Sequence, residues 1–201
     1  MASGASRSVD FFGAQFEQQI AGGEYELNPF EALVLPYLEG RVLDLGCGLG
    51  NLSLAAARAG ASVTALDACG HAVADLIRRA RESGLDVCAG QADLRGWRPE
   101  EAYDAVACIG LLMFFERSVA LDGLRAVHDA VKPGGIAAVN VLTEGTTFLG
   151  MFDPRGHHLF SRDDLLAPFA LWEQLVLRED EFPAPGATVK RFLTLIARRP
   201  R

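Results

Sequence analysis

The run Asp44-Leu45-Gly46-Cys47-Gly48-Leu49-Gly50-Asn51 follows a short apolar stretch and places three glycines at alternate positions. Glycines there leave bare backbone against which a ligand can lie, and the N-terminus of a following helix favours a negative group. The next apolar run ends in Thr64-Ala65-Leu66-Asp67. Asp67 falls about 20 residues beyond Gly46, where a carboxylate can accept both hydroxyls of a ribose. Asp93, in Gly90-Gln91-Ala92-Asp93-Leu94, follows a third apolar run, where a nucleobase edge can be read. The glycine spacing departs from the dinucleotide fingerprint G-x-G-x-x-G, because Asn51 stands where the third glycine belongs.

Other residues able to do chemistry are more scattered. Asp153, Arg155, His157 and His158 fall in a Gly/Pro-containing segment over 143–160 that reads as a loop or lid. Adjacent histidines point apart and no third ligand accompanies them, so no metal site is expected; they remain candidates for contacting a substrate, as does Arg191. Cys47, Cys69, Cys88 and Cys108 form no CxxC pair and read as reduced; three of the four sit at apolar strands or strand ends, where a free thiol behaves as a small hydrophobe. His71 and His128 are expected on helix surfaces.

These groups need elements to hold them. From Arg41 short apolar runs alternate with segments of helical spacing, which predicts strands at 41–45, 62–66, 86–89, 103–108 and 135–142. Helices are expected at about 50–59, 71–83 and 117–131, with a turn at 97–101. Lys132-Pro133-Gly134-Gly135 stops the last of these helices. Such alternation implies an α/β fold with a mostly parallel sheet covered on both faces, three layers in all. Before it, Phe11, Phe12 and Phe16 share a helical face, and Asn28, Pro29 and Gly40 bracket a second short helix. Residues 1–40 are read as a helical cap segment and 41–201 as the ligand-binding domain. After it, Ser161 caps a short helix, and the final two strands are joined by the hairpin Pro183-Ala184-Pro185-Gly186-Ala187-Thr188.

The order VLDLGCGLGN, VTALD, GQADL, YDAVACIGLLMFF and VKPGG, across residues 28–142, resembles the class I S-adenosylmethionine-dependent methyltransferase family. The LLMFFE segment, the KPGG turn and the closing KRFLTLIARR resemble its tellurite-resistance (TehB-like) branch. The resemblance implies a Rossmann-like, seven-stranded sheet whose last strand is antiparallel, with S-adenosylmethionine as cofactor and S-adenosylhomocysteine as product. It implies that Gly46, Cys47 and Gly48 line the methionine part with Asp44 nearby. Asp67 and Ala68 would hold the ribose, Asp93 and Leu94 flank the adenine, and Cys108, Ile109 and Gly110 face the sulfonium. Asn51 is counted with this set. Family members that methylate exocyclic amines carry an Asn/Asp-Pro-Pro-aromatic motif after the fourth strand, where this chain has Ile109-Gly110-Leu111-Leu112-Met113-Phe114-Phe115. That apolar wall suits a thiol or a selenium or tellurium oxyanion, and Arg191 matches an arginine of the TehB-like pattern that could pair with an oxyanion. The His-Arg pair of some relatives is replaced by PAPGAT.

Composition narrows the classes. The chain has 201 residues, 50% hydrophobic and 22% charged, with a formal charge of −7. An acidic balance argues against nucleic acid as partner. The apolar runs are too short for a membrane span and the start lacks the apolar core of a secretory signal, so a cytoplasmic monomer or homodimer acting on a small molecule is expected. Two alternatives stay open: an NAD-type oxidoreductase, and a regulatory protein that binds S-adenosylmethionine without turnover.

Overall fold

The computed structural model describes residues 7–153 and 156–201. Seven strands form one sheet: β1 (Arg41–Leu45), β2 (Ser62–Asp67), β3 (Val87–Gln91), β4 (Tyr103–Ile109), β5 (Val131–Leu142), β6 (Glu173–Ala184) and β7 (Thr188–Arg198). Their order is β3-β2-β1-β4-β5-β7-β6. The four pairs from β3 to β5 run parallel, and β7 enters antiparallel to both β5 and β6. The hairpin explains this: a tight Pro185–Ala187 turn returns the chain beside the strand it has just left, whereas parallel neighbours need a crossover helix.

Side-chain alternation divides the core. On one face Leu43, Val106, Val139 and Leu195 meet Leu124 and Val127 of α5 (Arg117–Ala130) and Leu165 of α6 (Arg162–Leu166). On the other, Val42, Ala107, Ala138 and Ile196 meet Val34 of α2 (Pro29–Val34), Leu54 of α3 (Asn51–Arg58) and Leu76 of α4 (Gly70–Glu82). Neighbouring residues of one strand thus serve opposite layers, which is the three-layer packing a parallel sheet requires. Small residues at Ala105, Ala107 and Ala138 let the helices of the second face approach closely.

Asn28 caps α2 through its side-chain oxygen, which accepts from the amides of Phe30 and Glu31, while Glu31 returns a bond from the Asn28 amide. This reciprocal arrangement fixes where Glu31 sits. Helix α1 (Arg7–Gly22) packs Phe16 and Ile20 over Leu49, Cys69 and Ala72, above the ends of β1 and β2. Two expectations shift. Lys132–Gly135 does not end the last helix with a free turn; it is absorbed as an irregularity in β5, whose pairing with β4 jumps between Tyr103 and Ala105. The turn placed at 97–101 occurs at Arg95-Gly96, with only bends at 100–101. Among the described residues no helix is long and apolar enough to cross a membrane.

Candidate functional site

A cavity of about 1440 Å³ lies where the parallel strands end. That position follows from topology, because β1 and β4 are adjacent yet their following connections leave to opposite faces and open a crevice between them. Gly46 to Asn51 after β1, Asp67 and Ala68 after β2, Asp93 and Leu94 after β3, and Ile109 and Gly110 after β4 all line it. Asp44 and Cys108 do not. Both side chains are buried within the sheet, so neither can touch a ligand there.

The glycine loop is held from below. Leu66 O accepts from the amides of Gly46 (2.8 Å) and Cys47 (3.2 Å), and Cys47 O accepts from Gly50. Asp67 Oδ2 accepts from the Gly48 amide at 2.8 Å, and Oδ1 accepts from the Cys69 amide at 2.8 Å. These amides are engaged within the loop, whose bare backbone lines the cavity. Gly48 has φ +51°, and a Cβ there would lie 2.9 Å from the Phe16 ring. The bare backbone thus admits α1 as its neighbour at this point. Each Asp67 oxygen keeps lone-pair capacity for a further donor. Burial pushes its carboxyl above the ordinary range, against the lowering effect of the Cys69 and Gly48 amides.

Asn51 is engaged at both ends: Nδ2 donates to Glu26 O at 3.2 Å and Oδ1 accepts from Arg79 at 3.2 Å. Arg79 also donates to Leu49 O, pairs with Asp75 and lies 4.1 Å above the Tyr25 ring, so it ties α4 to the loop and to the segment after α1. Asp93 is clamped by the Arg95 guanidinium at 2.7–3.2 Å, which holds its carboxyl below the usual range. Asp44 accepts from Ser53 Oγ at 2.6 Å, and burial raises its carboxyl to about 7. Burial likewise pushes the Cys47 and Cys108 thiols up, which keeps them protonated and poor nucleophiles. Cys88 departs from the hydrophobe reading: it is exposed on the edge strand β3.

Aromatic side chains line the cavity elsewhere. Phe12 of α1 meets Phe114 at 5.0 Å between ring centroids, and Phe30, Phe148 and Phe192 join the wall with Met113 and Met151. The candidate contact residues are not there. Arg191 pairs with Glu181 at 2.7 Å and faces a smaller surface depression. His157 Nδ1 donates to Asp153 O and its ring stacks on Phe152, while His158 meets Asp164 at 3.1 Å and its amide donates to Met113 O. All three are structural ties outside the cavity wall. Arg155 lies outside the described residues. His71 is tied to Gly13 O at 3.1 Å, and His128 packs on Trp172 as well as lying on a helix face.

Among the lining residues not named from sequence, two matter for the chemistry. Glu31 lies in the short helix after Asn28; burial raises its carboxyl above the usual range and it reaches the cavity. Asn140 sits in the apolar run Ile136-Ala137-Ala138-Val139-Asn140-Val141, 1% exposed, with Nδ2 donating to Thr194 Oγ1 at 2.8 Å and Oδ1 without a partner. The signal available was the single amide in an otherwise apolar strand. Among the described lining residues six are acidic, Glu26, Glu31, Asp67, Asp93, Glu116 and Asp153, against Arg95 and Lys190. With Arg95 committed to Asp93, the field in the cavity is negative and favours a cation.

Comparison with known proteins agrees with this architecture. Residues 42–135 match the family described as "Methyltransferase domain". The ubiquinone biosynthesis O-methyltransferase of Xanthomonas axonopodis pv. citri (strain 306) is 31% identical over 144 residues, covering 66% of this chain and 59% of that protein. The chain thus spans about three fifths of the length of such relatives. TehB from Haemophilus influenzae has a similar structure, with TM-score 0.72 and 21% identity over 85% of this chain and 61% of that one. The N-methyltransferase NodS from Bradyrhizobium japonicum WM9, in complex with S-adenosyl-L-homocysteine, has TM-score 0.70 and 15% identity over 94% and 99%. At those identities the structural likeness speaks for the fold.

Proposed function

We propose that this chain, whose residues 42–135 match the methyltransferase-domain family, is a class I S-adenosylmethionine-dependent methyltransferase that transfers a methyl group to an uncharged organic acceptor with an apolar body. The observation that carries this reading is one continuous cavity lined by the glycine loop, Asp67 and Asp93 at the ends of β1 to β3 and by Phe30, Phe114, Phe148 and Phe192 elsewhere. The residues fit the donor. Asp67 retains lone pairs for two ribose hydroxyls, and space is open above Gly110, where an added Cβ would meet nothing within 4 Å. Bound S-adenosylmethionine would supply an electrophilic methyl on a sulfonium, whose positive charge the surplus of lining carboxylates favours.

What the chain itself contributes is alignment and exclusion of water. Gly46 to Gly48, Asp67 and Ala68 would hold the amino-acid and ribose parts, with Asp93 and Leu94 beside the adenine. Ile109, Gly110 and Leu111 would form the wall at the reacting centre, and α1 would cover it through Phe12 and Phe16. Correct placement of the acceptor can lower the barrier by roughly 7–11 kcal/mol at best. Glu31 lines the cavity beside Phe30, and its carboxyl, raised by burial, is one that can take a proton from a hydroxyl acceptor.

A tellurium or selenium oxyanion is a poorer fit. It would enter a cavity whose acidic lining residues outnumber the basic ones, and Arg191, the residue expected to receive it, is paired with Glu181 elsewhere. Calorimetry with S-adenosylhomocysteine and with NAD tests the first part: binding of the former alone is expected, and binding of NAD alone refutes it. Radiolabelled methyl transfer to 2-naphthol and thiophenol, against tellurite and selenite, tests the second. Transfer to the oxyanions alone would overturn the acceptor class.

A further inference from the structure

We propose that Asn140 selects the acceptor: its carboxamide oxygen receives a hydrogen bond from the O–H or N–H that the acceptor presents for methylation. This rests on the methyltransferase reading and deepens it. The argument starts from an imbalance. Asn140 holds the unpartnered side-chain polar atom found buried among the described residues, on a residue that also lines the cavity. An amide oxygen left without a donor in a buried site is costly, and such atoms are rare unless a ligand satisfies them.

The fold says which ligand. The glycine loop, Asp67 and Asp93 follow β1, β2 and β3, whereas Asn140 lies within β5 near its end, across β4 from all of them. In the register of the sheet Asn140 pairs with Ile109, the residue just before Gly110 at the expected reacting centre. Asn140 therefore lies on the acceptor side. Around it stand Phe30 and Phe192, whose rings approach to 4.6 Å, and Phe192 is two residues along the same strand from Thr194. Those rings pack on each other, so an aromatic or otherwise apolar body would lie against the pair rather than between them, with one polar hydrogen directed to the amide.

Thr194 makes the amide rigid. It is wholly buried on β7, directly opposite Asn140 on β5, and it takes the amide N–H. With the nitrogen end held, the oxygen end is committed to accepting. A hydroxyl acceptor loses its donor hydrogen when it becomes a methyl ether, so the product no longer satisfies Oδ1. The same contact that retains the substrate thus releases the product.

Three probes of one shape separate these cases: 2-naphthol, 2-methoxynaphthalene and 2-methylnaphthalene, titrated by fluorescence into the full chain with S-adenosylhomocysteine present. We expect 2-naphthol to bind about tenfold more tightly than the other two, and Asn140→Leu to abolish that preference. Equal binding of 2-methoxynaphthalene overturns the proposal, because it would mean the amide donates. A preference that survives Asn140→Leu, or failure of all three to bind, also overturns it. Should Asn140→Leu not fold, the Asn140 side-chain amide resonance of the unaltered protein serves instead. A shift with 2-naphthol alone supports the contact, and no shift refutes it. Calorimetry with S-adenosylhomocysteine on the same sample reports separately on the methyltransferase reading.

Discussion

Asp44→Asn should make the protein more stable at neutral and alkaline pH and leave it nearly unchanged in acid. Asp44 is 3% exposed, and its one side-chain hydrogen bond comes from Ser53 Oγ at 2.6 Å. Burial, opposed by Ser53 and reinforced by the negative fields of Glu31 and Asp67, raises its carboxyl from 3.8 to about 7. The folded protein then binds more protons than the unfolded chain across that interval. Stability falls as pH rises through it, and the full loss is present above the folded value. A rise of about three units corresponds to about 4 kcal/mol. Asparagine is isosteric, keeps an oxygen for Ser53 and does not titrate. Urea unfolding of both proteins from pH 4 to 8.5, followed by tryptophan fluorescence, checks this. The stability difference should be near zero at pH 4 and grow toward about 4 kcal/mol by pH 8. Parallel profiles for the two proteins would refute the claim that a buried, strongly shifted carboxyl underlies the glycine loop.

Two further predictions concern the loop itself. Asp67→Ala removes the acceptor of the Gly48 and Cys69 amides as well as the proposed ribose contact. Affinity for S-adenosylhomocysteine should fall by about 1.5–3 kcal/mol in calorimetry, and an unchanged dissociation constant rejects the role. Gly48→Ala should destabilise by about 1–2 kcal/mol from its left-handed backbone alone, with a further loss from contact with Phe16. The further part should vanish in a Phe16→Ala background, and strict additivity in chemical unfolding would show that Phe16 is not what the Cβ meets.

The loop and its two carboxylates were legible because their meaning is local. An apolar run followed by alternating glycines must turn at a strand end, and Asp67 and Asp93 close the next two runs in the same way. Parallel strands then bring all three ends to one edge whatever the remaining sequence does. The seven-stranded sheet followed for a similar reason, since the Pro/Gly hairpin leaves β7 little choice but to pair with its neighbour.

The acceptor side was decided by partners far apart in the chain. Lys190 and Phe192 line the cavity while Arg191 between them faces Glu181, because alternate residues of a strand point to opposite faces. Which of the two sets looks inward depends on how β7 registers with β5, 54 residues apart at Asn140 and Thr194. His157 and His158 went to Phe152 and Asp164 for the same kind of reason: packing of the 143–160 segment, not its composition, set their direction. Glu31 carried no mark in sequence, and Asn140 only that of a lone amide. Their chemistry arises only when α2 and β5 close on a shared cavity, where burial raises one carboxyl and leaves one amide oxygen without a donor.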